Sequence, residues 1–462
     1  MTDMNTPQKS AAFLLRLNEV GVQWKGYVSA FIRAFTSDSP VPLILVSSEM
    51  DESAVQAKEF QETVVSIVRE SCKASIPRIV ICKERDLSDQ LGSYAIICSL
   101  TRIIEDEGNY EKLEFSYFKT VITRLTSTKS NRLQETESRI FSILDYTLQP
   151  YSIGDFIFFQ MGSMVVAKTA GIEDINLVIL SDPKRPHADP VLRGYVTPEN
   201  HHERLMGILP LIEFNPFLKS VTVFESIQEM NAYISRFAAK AVFWPSIDFL
   251  NKRIYLSYEI LKMVKVFYEE TGEIPEFNFS NQSGTWAKHF ISEVAREFIP
   301  VTINLRSNQR FGSHRNFVRE TWTAFFSKCE HSIPVKFIVM CAKSEVDAGM
   351  RSLRNVVFTK DYKTNVVQDL ALIQFSAFHL GSCSGPAAMA MFLRRPHHIF
   401  NNDMTPHLKR WAGSILQAPD KELYCSFRAE NQTLGVIEET PDEIWRQFER
   451  IWKTIDQNSL RT

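Results

Sequence analysis

The sequence predicts an α/β protein whose strands run parallel and are covered by helices on both faces. Three observations carry that prediction. Short apolar runs alternate with helix-length segments along most of the 462 residues. The runs are nearly continuous in polarity, as strands buried on both faces require. Polar and charged residues gather directly after the runs, at the strand ends where open parallel sheets bind ligands.

A chain of this length holds two or three cores. Residues 1–146 read as an additional N-terminal α/β or helical region. Phe13, Leu14, Leu17, Val20, Trp24, Val28, Phe31 and Phe35 are spaced three or four apart, which predicts an amphipathic helix over 11–35. Arg16, Lys25 and Arg33 lie on its other face. Such a helix packs on its own domain, with a peripheral membrane surface or a protein partner as the alternative. Strands are expected at 42–47 and 78–82, with helices at 52–71 and 88–106. A polar helical stretch follows over 107–148, with Ser-Thr-Lys-Ser-Asn at 127–131 as a linker candidate.

A second unit spans 147–299, with strands near 147–150, 176–180, 221–224 and 241–244. Its helices are expected near 158–170, 199–213, 226–237, 253–271 and 286–297. A third unit spans 300–425, with strands at 301–305, 335–341, 355–358, 377–380 and 398–400. Helices at 317–328, 344–352, 364–374 and 387–393 separate those strands. The remainder, 426–462, holds a helix at 441–455 whose Trp445, Phe448 and Trp452 suit it to docking on a domain.

Composition excludes several classes. Hydrophobic residues make up 44%, charged residues 23%, and the net charge is −2, so no global basic field argues for nucleic acid. Any anion must be held by local groups. The seven cysteines are odd in number and lack paired short spacing, which fits buried free thiols in a reducing compartment. The pairs His201–His202 and His397–His398 point to opposite faces if they lie on strands, which argues against metal ligation. No run approaches the roughly 18 apolar residues needed to span a bilayer. MTDMNTPQKS lacks a signal-peptide pattern, so a cytoplasmic location is expected.

Three loops could carry chemistry. Gly381-Ser382-Cys383-Ser384-Gly385-Pro386 is a small-residue turn between a strand and a helix. Its backbone can approach a ligand closely, and the unpaired N–H groups of the helix point at the turn, as a diphosphate site requires. Asn304 to Asn316 brings Arg306, Arg310 and Arg315 to the same sheet edge, where planar guanidinium groups can bind phosphate oxygens in pairs. Tyr151-Ser-Ile-Gly154-Asp155 precedes a helix. Asp155 there is either the helix N-cap or a general base for an acceptor hydroxyl, two roles that one oxygen fills poorly together. Lys343 and Glu345 end another strand, as solvated charges or as contacts to a nucleotide.

These motifs carry a resemblance. Tyr-Ser-Ile-Gly-Asp, followed by Gly162 and Ala167, is similar to the N-terminal loop of GT-B glycosyltransferases of the bacterial ADP-heptose heptosyltransferase type. Ser384-Gly385-Pro386 with Ala390 and Pro396 resembles their donor-phosphate loop. Asn304-Leu-Arg306 with His314-Arg315-Asn316, and Asp369-Leu-Ala with Gly381-Ser-Cys-Ser-Gly, is similar to bacterial surface-polysaccharide glycosyltransferases. The resemblance covers about 147–403.

It implies two Rossmann-like domains facing a cleft, and transfer of a sugar from a nucleotide-diphosphate donor to a hydroxyl on a glycan, lipid-linked or protein acceptor. No cofactor or metal is implied, because basic side chains and a helix N-terminus neutralise the leaving diphosphate. Asp155 would be the catalytic base. Arg306, Arg315, Ser382, Ser384 and Gly385 would bind the donor diphosphate, and Thr359, Lys360, Asp361 and Tyr362 the nucleoside. Direct displacement with inversion follows if Asp155 is the base. Two positions depart from the pattern: Cys383 stands where heptosyltransferases usually carry aspartate, and Ala388 where they often carry histidine. These departures keep a non-catalytic nucleotide-sugar-binding subunit as the alternative. An epimerase would need acid/base groups from both domains, and no such set is identifiable.

Overall fold

In the computed structural model, the described residues are 138–146, 152–182, 184–185, 196–238, 241–246, 257–279, 282–307, 313–342, 345–401, 422–435 and 439–455. To these are added 10–16, 28, 43–47, 62–64, 66, 79–83, 94–99 and 416–417. Contacts divide the chain into two units. The first comprises 1–151, 171–213 and 217–254, and the second 152–170, 214–216 and 255–462.

The first unit holds two four-stranded parallel sheets. One is formed by β1 (Ser10–Arg16), β2 (Leu43–Ser47), β3 (Ile79–Lys83) and β4 (Tyr94–Ser99), in the order β3-β2-β1-β4. The N-terminal region is therefore α/β in character, with two corrections to the expected helices. Residues 10–16 are a strand, because the run from Ala11 to Leu15 is continuously apolar and sits between two neighbours. The remainder of 11–35, apart from the helical and buried Val28, lies outside the described residues, as does 127–131. Within the expected helix 88–106, Tyr94-Ala-Ile-Ile-Cys-Ser99 is a strand.

The second sheet joins β5 (Arg139–Asp145), β6 (Ile175–Leu180), β7 (Leu218–Phe224) and β8 (Ala241–Trp244), in the order β7-β6-β5-β8. β5 corrects the polar helix expected over 107–148 at residues 139–145, while the strand expected at 147–150 lies outside the described residues. Every residue of β5 is buried, so the polar Arg139, Ser142 and Asp145 hid a central strand. Two helices follow in this unit, α2 (His201–Ile208) and α3 (Ile227–Ser235).

The second unit is built on one large sheet. It contains β9 (Ile299–Asn304), β10 (Val335–Met340), β11 (Val356–Phe358), β12 (Phe378–Ser382), β13 (His397–Phe400), β14 (Leu416–Gln417), β15 (Glu422–Cys425) and β16 (Gln432–Gly435). Their order is β11-β10-β9-β12-β13-β16-β15-β14, parallel from β11 to β16 and antiparallel at the last two. Its helices are α1 (Ile153–Ala170), α4 (Ser257–Thr271), α5 (Gln282–Ala295), α6 (Arg319–Glu330), α7 (Ala348–Arg351), α8 (Val366–Phe375), α9 (Gly385–Phe392) and α10 (Pro441–Trp452).

One face of this sheet packs on α6 and α10 through a ring cluster. Phe448 lies 5.4 Å from Phe325, 6.0 Å from Phe337 and 5.5 Å from Phe378, which is the docking expected of the C-terminal helix. Helix α1 is apolar all round and is packed among α4 and α9, with Phe158 and Phe392 rings 5.1 Å apart. Among the described residues Cys329, Cys341 and Cys425 are buried free thiols, each pushed up to about 12, mainly by burial. No helix among the described residues is long and apolar enough to cross a membrane.

Three buried histidines cross the middle of the sheet. His379 pairs in register with Thr302 and with His397, and its Nδ1 lies 3.1 Å from Thr302 Oγ1. His398 Nδ1 lies 2.7 Å from Thr433 Oγ1. Burial holds all three well below the ordinary imidazole range, His379 at about 3 and His397 at about 4. The unfolded chain takes up their protons below about pH 6.5, while the folded chain does not. Each histidine therefore removes about 1.4 kcal/mol of stability per pH unit as pH falls from there to its folded value. Urea midpoints at pH 7, 6 and 5 should decline accordingly, and replacing His397 with Gln should flatten the decline.

Candidate functional site

The order of the large sheet reverses between β9 and β12. From β9 the chain builds outward through β10 and β11, and from β12 it builds the other way through β13 and β16. The carboxyl ends of β9 and β12 therefore form the crevice position at which open α/β sheets bind ligands. The residues there are Asn304 to Ser307 and Ser382 to Gly385, so two of the three loops singled out in the sequence meet.

Asn304 joins them. Its Nδ2 donates to Ser384 Oγ at 2.7 Å, across 80 positions of sequence. Gly381 pairs in register with Asn304 and leaves it room, since a Cβ there would lie 2.5 Å from the Asn304 carbonyl oxygen and 2.7 Å from its Oδ1. Asn304 Oδ1 and Ser382 Oγ are both buried with no hydrogen-bond partner. Each such group costs about 1–3 kcal/mol. Ser384 is the N-cap of α9, yet its side chain makes no capping bond. It accepts from Asn304, which leaves its own hydroxyl proton to be donated outward. Ser382 itself is fully buried on β12, one step behind the half-buried turn of Cys383, Ser384 and Gly385.

The third loop arrives through α1. Gly385 stands so close to α1 that a Cβ on it would lie 2.8 Å from Ile153 Cβ. From the other side, a Cβ on Gly154 would lie 3.4 Å from Ala388 Cβ and 3.5 Å from Gly385 Cα. The first turns of α1 and α9 thus abut, with their orphan N–H groups and positive dipole ends at one place. Ser152, one residue before α1, accepts a bond from the Asp155 N–H at 3.1 Å, and its hydroxyl donates to Asp155 Oδ2. Ser152 is therefore the cap, and the N-cap role expected for Asp155 is corrected: Asp155 sits half-buried in the first turn. The S-x-x-D spacing is a capping-box signature that would have shown this in the sequence.

The arginine loop is only partly described, and Asn308 to Gly312, Lys343 and the His314 side chain lie outside the described residues. Arg306 is half-buried, with Nη1 donating to Asn316 Oδ1 at 2.6 Å. Arg315, also half-buried, ends a short 3-10 turn, Ser313–Arg315. Glu345 is neither a solvated charge nor a free group: its two oxygens accept from Ser307 N–H at 2.6 Å and Ala342 N–H at 2.7 Å, tying the loops after β9 and β10 together.

The expected nucleoside segment, Thr359–Tyr362, is a 3-10 turn after β11, two strands from β9. Its charged members are engaged internally. Lys360 Nζ lies 2.8 Å from Asp369 Oδ2, and Arg351 grips Asp361, with its Nε donating at 2.9 Å. Thr359 Oγ1 is buried with no hydrogen-bond partner, and Tyr362 is 54% exposed, edge-on to Phe290.

No family model matches the chain. Among curated proteins it is 24% identical over 247 residues to the multifunctional protein ura1 of Schizosaccharomyces pombe, 46% of this chain but only 11% of that protein. Among solved structures it is similar to the ADP-heptose heptosyltransferase II of E. coli, at 11% identity and a TM-score of 0.41, over 68% of this chain and 98% of that one. It is likewise similar to a glycosyl transferase family 9 protein of Veillonella parvula, at 12% identity and a TM-score of 0.41, over 71% and 93%. A reading of function therefore has to stand on the geometry of the carboxyl edge.

Gly385→Ala should destabilise the protein by about 1–3 kcal/mol, the cost of overpacking, by pressing a methyl group into Ile153. Gly154→Ala meets only ordinary contacts and should shift the melting temperature little. Thermal unfolding of the two variants checks the contrast.

Proposed function

We propose that this protein is a glycosyltransferase, which moves a sugar from a nucleotide-diphosphate donor to a hydroxyl acceptor in the synthesis of bacterial surface glycans or glycoconjugates. The observation that carries the reading is the convergence of two helix starts, α1 with Asp155 and α9 with Ser384, at the reversal point of the large sheet. A diphosphate is the ligand best matched to backbone N–H groups, an outward serine hydroxyl and nearby arginines. The motif resemblance agrees with it, and a half-buried carboxylate beside such a cradle is what acceptor activation needs.

In the proposed reaction Asp155 takes the proton of the acceptor hydroxyl. The acceptor oxygen forms its bond to the anomeric carbon as the bond from that carbon to the diphosphate oxygen breaks, and the electron pair leaves with the nucleoside diphosphate. Arg306, Arg315, the α9 amides and Ser384 stabilise the charge that develops there, which makes a metal unnecessary, and attack from the opposite face inverts the centre. The bond from Ser152 does not disqualify Asp155, because a carboxylate has two oxygens and several lone pairs. The nucleoside is assigned to the Thr359–Tyr362 turn. A non-catalytic nucleotide-sugar-binding subunit is the second reading, favoured by Cys383 and Ala388.

Asp155→Asn should lower the rate of transfer by roughly 100- to 10,000-fold while leaving donor affinity within about 2-fold. Isothermal titration and product assays on the same preparation decide it, and undiminished turnover would place the base elsewhere. Asn304→Asp should act differently. A carboxylate at this position draws the Ser384 proton inward and repels an anion, so donor affinity should fall about 10-fold or more, the scale of one charge-assisted hydrogen bond. Binding of a nucleoside diphosphate by wild type and variant measures it.

A further inference from the structure

We infer that Glu439 is a positioning residue which fixes the arginine-bearing turn at the carboxyl edge of β9. The inference rests on the proposed function for what the turn is positioned to do, and on geometry for the tie itself. Glu439 lies between β16 and α10 and is 2% exposed. Its Oε1 accepts the Val318 N–H at 2.8 Å. Val318 is the N-cap of α6, where its side chain can cap nothing, and it stands three residues after Arg315, the end of the turn Ser313–Arg315. One residue earlier, the Phe317 N–H donates to the Arg306 carbonyl at 2.9 Å, which closes the neck of the loop. Glu345 holds one foot of that neck through Ser307, and Glu439 holds the other through Val318.

The second oxygen, Oε2, is buried with no hydrogen-bond partner, and Trp322 Nε1 is likewise unsatisfied. A purely structural acceptor for one amide would be served as well by glutamine, without the cost of burying a carboxyl group. Burial pushes the Glu439 carboxyl up to about 7, against the opposing pull of Val318 N–H, Trp322 and Asn401, all uncharged groups. The tie is thus a carboxyl that changes charge near neutral pH, at the foot of the segment between β9 and α6 that carries Arg306 and Arg315.

The experiment uses the full chain. Hydrogen exchange is followed over 313–318, and donor KM and kcat are measured from pH 6 to 8, in wild type, Glu439→Leu and Glu439→Gln. E439L should speed exchange at Phe317 and Val318 and raise donor KM about 10-fold, with a smaller change in kcat. E439Q should restore both and flatten the pH dependence of KM near 7. If E439L does not fold, E439D serves the same comparison, since its shorter side chain withdraws the acceptor. Unchanged exchange over 313–318 in a folded variant overturns the inference, as does an E439Q profile that keeps the wild-type pH dependence. Faster exchange in a protein whose wild type binds no nucleotide sugar leaves the tie standing and removes the proposed function instead.

Discussion

The contact of Gly385 with the first turn of α1 is the constraint on which the site depends. Only a residue without Cβ allows the two helix starts to approach so closely, and the approach has an electrostatic consequence. Each helix start carries about half a positive charge from its aligned peptide dipoles, and two of them at one place suit an anion more than either alone. Asp155 and Ser384 belong to the same unit of the chain, so their separation does not depend on how the two units are arranged. The helix that ordinary βαβ logic would lay against the sheet of β5 instead completes the other unit, because its apolar surface continues all the way round.

Asn304 supplies the orientation that the helix starts lack. A serine at an N-cap normally turns its oxygen to the amides of its own helix, and Ser384 does not. By donating to Ser384 Oγ, Asn304 fixes the direction in which the hydroxyl can donate in turn. The cost is visible in the buried Asn304 Oδ1 and Ser382 Oγ, which lack partners. Unsatisfied buried groups at the ends of adjacent strands are what a binding site leaves when its structure is set by the ligand rather than by folding alone.

The alternation of apolar runs and helices made the strands from β9 to β13 legible almost element by element, and with them the meeting of the Asn304 and Ser384 loops, whereas β14, β15 and β16 were missed. The N-terminal half was less legible for a physical reason. In β1 the residues from Ala11 to Leu15 are apolar on both faces, and a helix-spaced reading of Phe13, Leu14 and Leu17 fits the same letters. In β5 the buried Arg139, Ser142 and Asp145 imitate a surface segment, and only burial in a finished sheet shows otherwise. Within the site, the sequence pointed to loops but not to the atoms between them. Glu345 could be read as a solvated charge, and Glu439 drew no notice, because nothing local marks a carboxylate that accepts amides from distant loops. Lys360 and Asp361 likewise look available in sequence, but each is engaged by a partner elsewhere in the chain.

The two departures from the heptosyltransferase pattern take on a different meaning against this packing. Ala388 occupies a position where the resembled enzymes often carry histidine, and in this protein it lies beside Gly154, where a Cβ would stand 3.4 Å from the Ala388 Cβ. Of the small residues at 154, 385 and 388 it is Gly385 whose missing Cβ lets α1 approach, with Ala388 at ordinary contact distance from the same turn. On the proposed reading, a donor sugar would meet the half-buried Cys383 thiol where the resembled pattern places a carboxylate.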